Sequence, residues 1–197
     1  MILLFGGSFD PVHIGHLIIA RDVKEKTGAD KVVFIPTHRT PLKESHSAPP
    51  EDRLNMVRLA VEGEEGFEVE DYEVRRGGIS YTVETLKYLA DKLPGKPVLL
   101  LGADSMLRFH LWRDPERIID MADLMVVERE GLMEKVREYV RTRFPMLKEG
   151  KNVFFVSTRR IDVSATEIRR RVKEGKSIYC LVPEPVERYI KERGLYR

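Results

Sequence analysis

The stretch Met1-Ile2-Leu3-Leu4-Phe5-Gly6-Gly7-Ser8-Phe9-Asp10-Pro11-Val12-His13-Ile14-Gly15-His16 decides the fold. It begins with an unbroken apolar run, which is typical of a strand buried on both faces of a parallel sheet. Gly6 and Gly7 end this run, and they let the backbone turn and approach a ligand without a Cβ in the way. From Ile14 onward, apolar residues recur at helical spacing. The stretch therefore predicts a buried strand, a glycine turn and a helix in direct succession.

Two histidines, His13 and His16, lie three residues apart at the start of this predicted helix. That spacing puts both rings on one side of the helix, near its unpaired N–H groups and the positive end of its dipole, where a phosphate is favoured. A zinc site needs three or four ligands, and the chain has one cysteine and three other histidines, none of them in a second spaced pair. Ordinary capping or core histidines stay an alternative. Phosphate binding is the interpretation that the neighbouring glycines favour.

Length and composition narrow the class of protein. The chain has 197 residues, with 34 basic and 32 acidic side chains and a net charge of +2, so no strong basic field favours a nucleic-acid partner. Cys180 is the single cysteine and cannot form an internal disulfide, which fits a reducing compartment. The apolar run at the start is too short for a signal peptide or a membrane span. We expect a cytoplasmic protein that forms a single domain over residues 1–197 and does not bind a membrane.

Further apolar runs predict the rest of the sheet. Buried strands are expected at 31–35, 98–101, 124–127 and 153–156, and a looser alternating strand at 67–74. Helical patterns separate them, so we predict an α/β fold with a Rossmann-like, doubly wound parallel sheet of about five or six strands. From about residue 164 the chain should form a small helical C-terminal extension.

A proline-rich loop and three helix starts complete the candidate site. Residues 36–50 carry four prolines, and they are either a surface linker or a basic lid at the carboxyl edge of the sheet. Asp104 follows a strand and a glycine, and a helix cap explains it as well as a ligand does. Trp112 is the sole tryptophan, and core packing is its alternative role. Ser164 with Glu167 forms a capping box, which needs no function to explain it, but three successive arginines follow at residues 169–171.

Residues Gly6–His16 resemble the G-G-x-F-D-P-x-H-x-G-H form of the H-x-G-H nucleotidyltransferases. Within that superfamily the chain is most similar to the bacterial nicotinate-nucleotide adenylyltransferases. Ser80–Leu86 is similar to the family's S-Y-T-x-x-T-L phrase, and Val163–Arg169 resembles its I-S-S-T-x-I-R motif with Ala165 in place of the second serine. Two further stretches carry the likeness: G-A-D followed by tryptophan, and the tail G-K-S-I-Y-C-L-V-P-E-P-V-x-x-Y-I. Leu42 departs from the family pattern, where a histidine is usual.

The resemblance implies an enzyme of NAD biosynthesis that moves AMP from ATP to nicotinate mononucleotide, releasing pyrophosphate. It assigns catalytic roles to His13, His16 and Arg169. For ATP binding it implies the glycine loop, both histidines and two later helix starts: Gly6, Gly7, Ser8, Phe9, His13, His16, Gly102, Asp104, Ser164, Thr166 and Arg169. For the pyridine nucleotide it implies Asp10, Lys43, Tyr81, Thr82 and Trp112, with backbone N–H groups at Tyr81 and Thr82 holding the nicotinate carboxylate. Mg²⁺ is expected with ATP, on the phosphates and with few protein ligands, so no protein-built metal site is predicted.

Two other functions stay open at this point. A related H-x-G-H enzyme could act on nicotinamide mononucleotide or phosphopantetheine, and a module of another class could bind nucleotides without catalysis. The expected partners are ATP and nicotinate mononucleotide. The sequence leaves open the oligomeric state, a homo-oligomer included, and the strength of the selectivity for nicotinate over nicotinamide.

Overall fold

A sheet of six parallel strands forms the centre of the protein. The structure is a computed structural model that describes residues 1–41, 46–128 and 131–197. The strands are β1 (Ile2–Gly7), β2 (Lys31–Pro36), β3 (Phe67–Val69), β4 (Val98–Gly102), β5 (Asp123–Val127) and β6 (Val153–Val156). They lie in the order β3-β2-β1-β4-β5-β6, so the order reverses between β1 and β4. Ligands of open α/β sheets bind at such a switch point, beyond the carboxyl ends of the strands.

Helices cover both faces of the sheet. They are α1 (Ile14–Thr27), α2 (Pro50–Val61), α3 (Tyr72–Arg76), α4 (Thr82–Leu89), α5 (Ala103–Leu107), α6 (Pro115–Met121), α7 (Met133–Arg143), α8 (Ala165–Lys173) and α9 (Glu184–Arg193), with a 3-10 turn at Phe109–Leu111. Successive strand residues point to opposite faces, so Leu3 belongs to one hydrophobic cluster and Leu4 to the other. The first cluster is covered by α1, α2, α8 and α9, and the second by α4, α5, α6 and α7. The prediction of a doubly wound parallel sheet is confirmed.

The region after β2 differs from the sequence-based expectation. An alternating strand was expected over 67–74, but β3 ends at Val69 and the short helix α3 begins at Tyr72. The Tyr72 amide donates to Glu70 Oε1 at 2.9 Å, which satisfies one N–H at the start of that helix. Glu73 and Val74 are both buried, so the pattern that looked like strand alternation is one turn of helix with an inward face.

The described parts of the chain contain no helix with both the length and the apolar character needed to cross a membrane.

Candidate active site at the carboxyl edge of the sheet

The loop between β1 and α1 is shaped by close packing around Phe9. Phe9 has a positive φ of 45° and only 2% of it is exposed. A Cβ on Gly7 would lie 3.0 Å from the Phe9 Cζ atom, so the second glycine is needed for this ring to fold back under the turn. A Cβ on Gly6 would meet no atom within 4 Å, which leaves space above the end of β1. The predicted glycine turn is thus a packed turn with one open side.

The two histidines lie side by side at the start of α1. Their ring centroids are 3.7 Å apart with an angle of 28° between the planes. The His13 amide donates to His16 Nδ1 at 3.2 Å, which orients the second ring. Gly15 makes this arrangement possible, because a Cβ there would lie 3.0 Å from His13 Nδ1. The expectation that both rings share one side of the helix matches this geometry.

Helix α8 brings the second predicted motif to the same loop. Ser164 caps this helix, and its Oγ accepts from the Glu167 amide at 3.2 Å. Arg169 donates from Nη1 to the Asp10 carbonyl at 2.7 Å and from Nη2 to Thr166 Oγ1 at 3.2 Å. Residues 159 positions apart in the sequence are therefore in direct contact. The motifs near the two ends of the chain meet at the carboxyl edge.

An ion pair with a buried aspartate fixes the segment that leads from β6 to α8. Asp22 of α1 is 4% exposed and accepts from the Arg159 amide at 2.9 Å and from its Nε at 2.9 Å. The hydrogen bonds from Arg159 hold the pKa of Asp22 below its usual value. Beside this segment lies a cavity of about 440 Å³ that includes Ile19, Glu128, Arg159 and Ser164 in its lining. The cavity adjoins the start of α8 and has room for part of a nucleotide.

Asp10 lies inside the protein and holds several parts of it. Its carboxylate accepts from the Ser47 amide at 2.7 Å, the Ala48 amide at 3.1 Å and the Tyr196 hydroxyl at 2.8 Å. Asp10 is 6% exposed. The role that the resemblance gives Asp10 in binding the pyridine nucleotide stays a prediction. The observed hydrogen bonds of its carboxylate connect the loop after β1 to other parts of the protein.

Arg53, which the sequence did not single out, forms a hydrogen bond to the same loop from α2. It is fully buried in α2 and donates to three carbonyls, those of Ser8 at 2.6 Å, His38 at 2.8 Å and Ala48 at 3.2 Å. Burial lowers the pKa of Arg53, and the nearby charge of Asp10 opposes that effect. An arginine in an amphipathic helix gives no signal of this kind in the sequence.

The end of β4 contributes Gly102 and Asp104. Gly102 occupies the cap position of α5, and Asp104 lies exposed in the first turn of that helix. The sequence suggested Asp104 as the cap, whereas the cap is Gly102, because the helix begins at Ala103, two residues earlier than a cap at Asp104 would place it. Since β4 runs parallel to β1, both residues lie at the same edge as the glycine turn.

The residues assigned to the pyridine ring form a second group on the other face of the sheet. Tyr81 occupies the N-cap position of α4, and Thr82 is the first residue of this helix. The centres of the Trp112 and Phe109 rings are 5.3 Å apart. The guanidinium of Arg113, which the sequence reasoning missed, lies 4.7 Å from the centre of the Tyr81 ring. A basic residue directly after the sole tryptophan was the available signal.

The loop after β2 connects the two groups. The His38 amide donates to Ser80 Oγ at 2.9 Å, and the Ser80 amide donates to the Arg39 carbonyl at 2.8 Å. Ser80, directly before Tyr81, is therefore hydrogen-bonded to the loop that leaves β2. Lys43, predicted to bind a substrate phosphate, and its neighbour Leu42 lie outside the described residues.

Comparison with known proteins identifies relatives along nearly the whole chain. A model of the cytidylyltransferase-like family matches residues 4–171. A protein of Aquifex aeolicus (strain VF5) named "probable nicotinate-nucleotide adenylyltransferase" is 56% identical over 168 residues, which are 85% of this chain and 100% of the relative. A protein of Desulfatibacillum aliphaticivorans with the same name is 43% identical, covering 98% of each chain.

Solved structures share the fold. The structure of Plasmodium falciparum nicotinic acid mononucleotide adenylyltransferase complexed with NaAD superposes with a TM-score of 0.77, covering 99% of this chain and 96% of that one. The sequence identity is 16%, so this likeness concerns the fold alone.

Proposed function

Because the chain belongs to the cytidylyltransferase-like family and, within it, to the nicotinate-nucleotide adenylyltransferases, we propose that residues 1–197 act as one domain that transfers AMP from ATP to nicotinate mononucleotide. The products are nicotinate adenine dinucleotide and pyrophosphate, and the reaction belongs to NAD biosynthesis. The observation that carries this proposal is the hydrogen bond from Arg169 to the Asp10 carbonyl. It joins the two anion-binding motifs into one site.

ATP binds along the carboxyl edge from β1 to β6. His13 and His16 donate to its phosphates together with the glycine-turn N–H groups, and Arg169 adds a planar cation that can hold two oxygens at once. Gly6, Gly7, Ser8 and Phe9 line the turn, while Ser164, Thr166, Gly102 and Asp104 flank it on the neighbouring helix starts. The adenosine part fits the cavity beside Ser164.

The pyridine nucleotide binds at the start of α4. Tyr81 and Thr82 offer backbone N–H groups at a helix start, where a carboxylate is favoured, and Trp112 offers a flat ring. Arg113, held over the Tyr81 ring, adds a positive charge beside these groups. This end of the site suits an acceptor that carries a carboxylate. Lys43 stays a predicted phosphate ligand for it.

The reaction is a direct in-line displacement. A phosphate oxygen of nicotinate mononucleotide forms a bond to the α-phosphorus of ATP, and the bond from that phosphorus to the pyrophosphate oxygen breaks. No covalent enzyme intermediate is needed, because the acceptor phosphate is the nucleophile. The protein contributes position and positive charge, which stabilise the extra negative charge on the phosphorus in the transition state.

Magnesium enters with ATP. Within the described ranges no three His, Cys, Asp or Glu side chains come together as a metal site. Mg²⁺ prefers oxygen ligands and retains water, so the phosphate oxygens of ATP would supply its ligands, with few from the protein. Its charge would add to that of the histidines and Arg169.

The test compares acceptors. Pyrophosphate release from ATP is measured with nicotinate mononucleotide, nicotinamide mononucleotide and phosphopantetheine in turn. The proposal expects turnover with the first at about a hundredfold higher kcat/KM than with the other two, because a site with polar groups for a carboxylate rejects acceptors without it. Preference for either of the others would identify a related transferase. Binding of ATP without pyrophosphate release from any acceptor would identify a non-catalytic nucleotide-binding module.

A further inference from the structure

The C-terminal tail reaches the catalytic loop through one tyrosine. Helix α9 ends at Arg193, its C-cap residue Gly194 has a left-handed φ of 61°, and the chain then turns back toward the sheet. Tyr196 follows with a φ of 65°, and its hydroxyl donates to Asp10 Oδ1 at 2.8 Å. A non-glycine residue with positive φ is uncommon, so this turn is held by its surroundings. The two residues in contact are 186 positions apart in the sequence.

Asp10 connects this tyrosine to the phosphate-binding arginine. The carboxylate of Asp10 accepts from Tyr196 and from the amides of Ser47 and Ala48, while its carbonyl accepts from Arg169. A buried carboxylate holds its position through these donors, because each hydrogen bond to a charged group is stronger than one to a neutral group. The position of the Asp10 carbonyl therefore depends on the donors to its side chain.

We propose that Tyr196 is a positioning residue for adenylyl transfer: its hydroxyl fixes Asp10, and the Asp10 carbonyl fixes the guanidinium of Arg169 against the phosphates of ATP. The part of this inference that concerns catalysis rests on the proposed function. Its prediction for ATP binding does not depend on which acceptor is used.

Tyr196 is suited to this role because it keeps its proton. Burial raises the pKa of its hydroxyl, and the negative charge of Asp10 raises it further. The hydroxyl remains a hydrogen-bond donor throughout the pH range in which such an enzyme is assayed.

The same tail provides a matched control. The Tyr189 hydroxyl, on α9, donates to Asp52 Oδ1 at 2.7 Å, and Asp52 is 4% exposed. Both tyrosines thus donate to a buried aspartate, and in each case replacement by phenylalanine removes only the hydroxyl. Asp52 lies on α2 and binds Arg193 of α9 at 3.1 Å, so it joins two helices rather than the phosphate-binding loop. Tyr189→Phe therefore reports the cost of losing such a bond without the proposed link.

The experiment compares Tyr196→Phe with Tyr189→Phe. For Tyr196→Phe we expect kcat to fall about tenfold and the Kd for ATP, measured by calorimetry without acceptor, to rise about tenfold, since small displacements of a charged group have large effects on phosphate binding. The KM for nicotinate mononucleotide should stay within about twofold. For Tyr189→Phe we expect both values within about twofold of the wild type, with a similar loss of thermal stability.

A second arm combines Tyr196→Phe with Arg169→Lys. Since the lysine already breaks the link to the Asp10 carbonyl, Tyr196→Phe should then cost less than about twofold in ATP affinity. Equal effects of the two tyrosine variants, or additive effects in the double variant, would overturn the proposal. If the wild type fails to use nicotinate mononucleotide, the proposed function fails, while the ATP-binding measurements still decide the role of Tyr196.

Discussion

Arg169 Nη1 lies 2.7 Å from the carbonyl oxygen of Asp10, and this hydrogen bond joins the helix start near the end of the chain to the loop near its beginning. The second arm of the same guanidinium contacts Thr166 Oγ1 at 3.2 Å. Both contacts fix the plane of the group, so that its position does not depend on bound phosphate. An arginine fixed in this way loses little conformational freedom when an anion binds.

Replacing Arg169 by lysine should lower kcat about a hundredfold. A lysine keeps the charge, but one ammonium cannot hold the Asp10 carbonyl and a phosphate with the geometry of a planar fork. Steady-state kinetics with ATP and nicotinate mononucleotide measure the effect. Arg170→Lys is the matched control, because Arg170 is exposed on the next position of α8, and it should keep wild-type kinetics. Equal kcat values for the two variants would show that Arg169 does not contribute to the reaction.

Replacing Gly15 by alanine should separate activity from stability. The added Cβ would lie 3.0 Å from His13 Nδ1, so the ring must move, and we expect kcat to fall roughly tenfold or more. The free energy of unfolding should change by less than about 1 kcal/mol, because alanine favours the helix. Gly95→Ala, where a Cβ meets no atom within 4 Å, is the control for activity. Unchanged kcat in Gly15→Ala would mean that the ring position is unimportant.

Replacing Arg113 by glutamine should reduce the selectivity for the acid acceptor. The variant loses the charge over the Tyr81 ring, and kcat/KM for nicotinate mononucleotide should fall about tenfold while that for nicotinamide mononucleotide stays within about twofold. The ratio of the two values is the measurement. Arg117→Gln, exposed on α6, should leave the ratio unchanged. A parallel fall for both acceptors would assign Arg113 to general positioning.

Glu73 should make the protein less stable as the pH rises. Its Oε1 accepts from Thr85 Oγ1 at 2.6 Å, and burial raises the pKa of this carboxyl despite hydrogen bonds from Thr85 and Ser80. A raised pKa in the folded state means that the unfolded state loses its proton first, so stability is full below the unfolded value and falls as the pH rises through the folded one. Urea unfolding from about pH 4 to about pH 8 should therefore show Glu73→Gln gaining stability over the wild type with pH.

Glu84→Gln is the control for this prediction, with the opposite sign. Lys87 Nζ donates to Glu84 Oε1 at 3.1 Å and is the main cause that lowers the pKa of Glu84. The stability that the Glu84 carboxylate contributes is therefore present above the ordinary pKa of this group and is lost as the pH falls. The glutamine variant should lose stability relative to the wild type at higher pH. The same pH trend in both variants would contradict the assignment of a buried, raised carboxyl to Glu73.

The sheet could be predicted from the sequence because several of its strands, such as β2, β4 and β5, are buried on both faces. Continuous apolar runs such as those of β2, β4 and β5 indicate buried strands when turns and helical patterns follow them. The prediction for the β3 region was wrong in part, because a single turn of helix with Glu73 and Val74 inward imitates strand alternation. Short helices carry too few residues to show a helical period.

The motifs with the two histidines and with Arg169 could be recognised in the sequence because their residue types and spacing suit phosphate at a helix start, and their role in phosphate binding stays a prediction. Other residues of the candidate site could not be predicted. Arg53, Arg113 and Tyr196 act through contacts with residues far away in the sequence, and their own surroundings give no periodic signal. Gly15 belongs to the motif at the start of the chain. The reason for a glycine there, which is the space that the His13 ring occupies, is visible only in the structure.

The most direct test of the account is a crystal structure of the protein with a non-hydrolysable ATP analogue. The account predicts that the phosphates lie between the two ends of the chain, with oxygens within about 3 Å of the histidine side chains and of the Arg169 guanidinium in the same complex. Phosphates bound to only one of these two groups, or bound elsewhere on the protein, would contradict it.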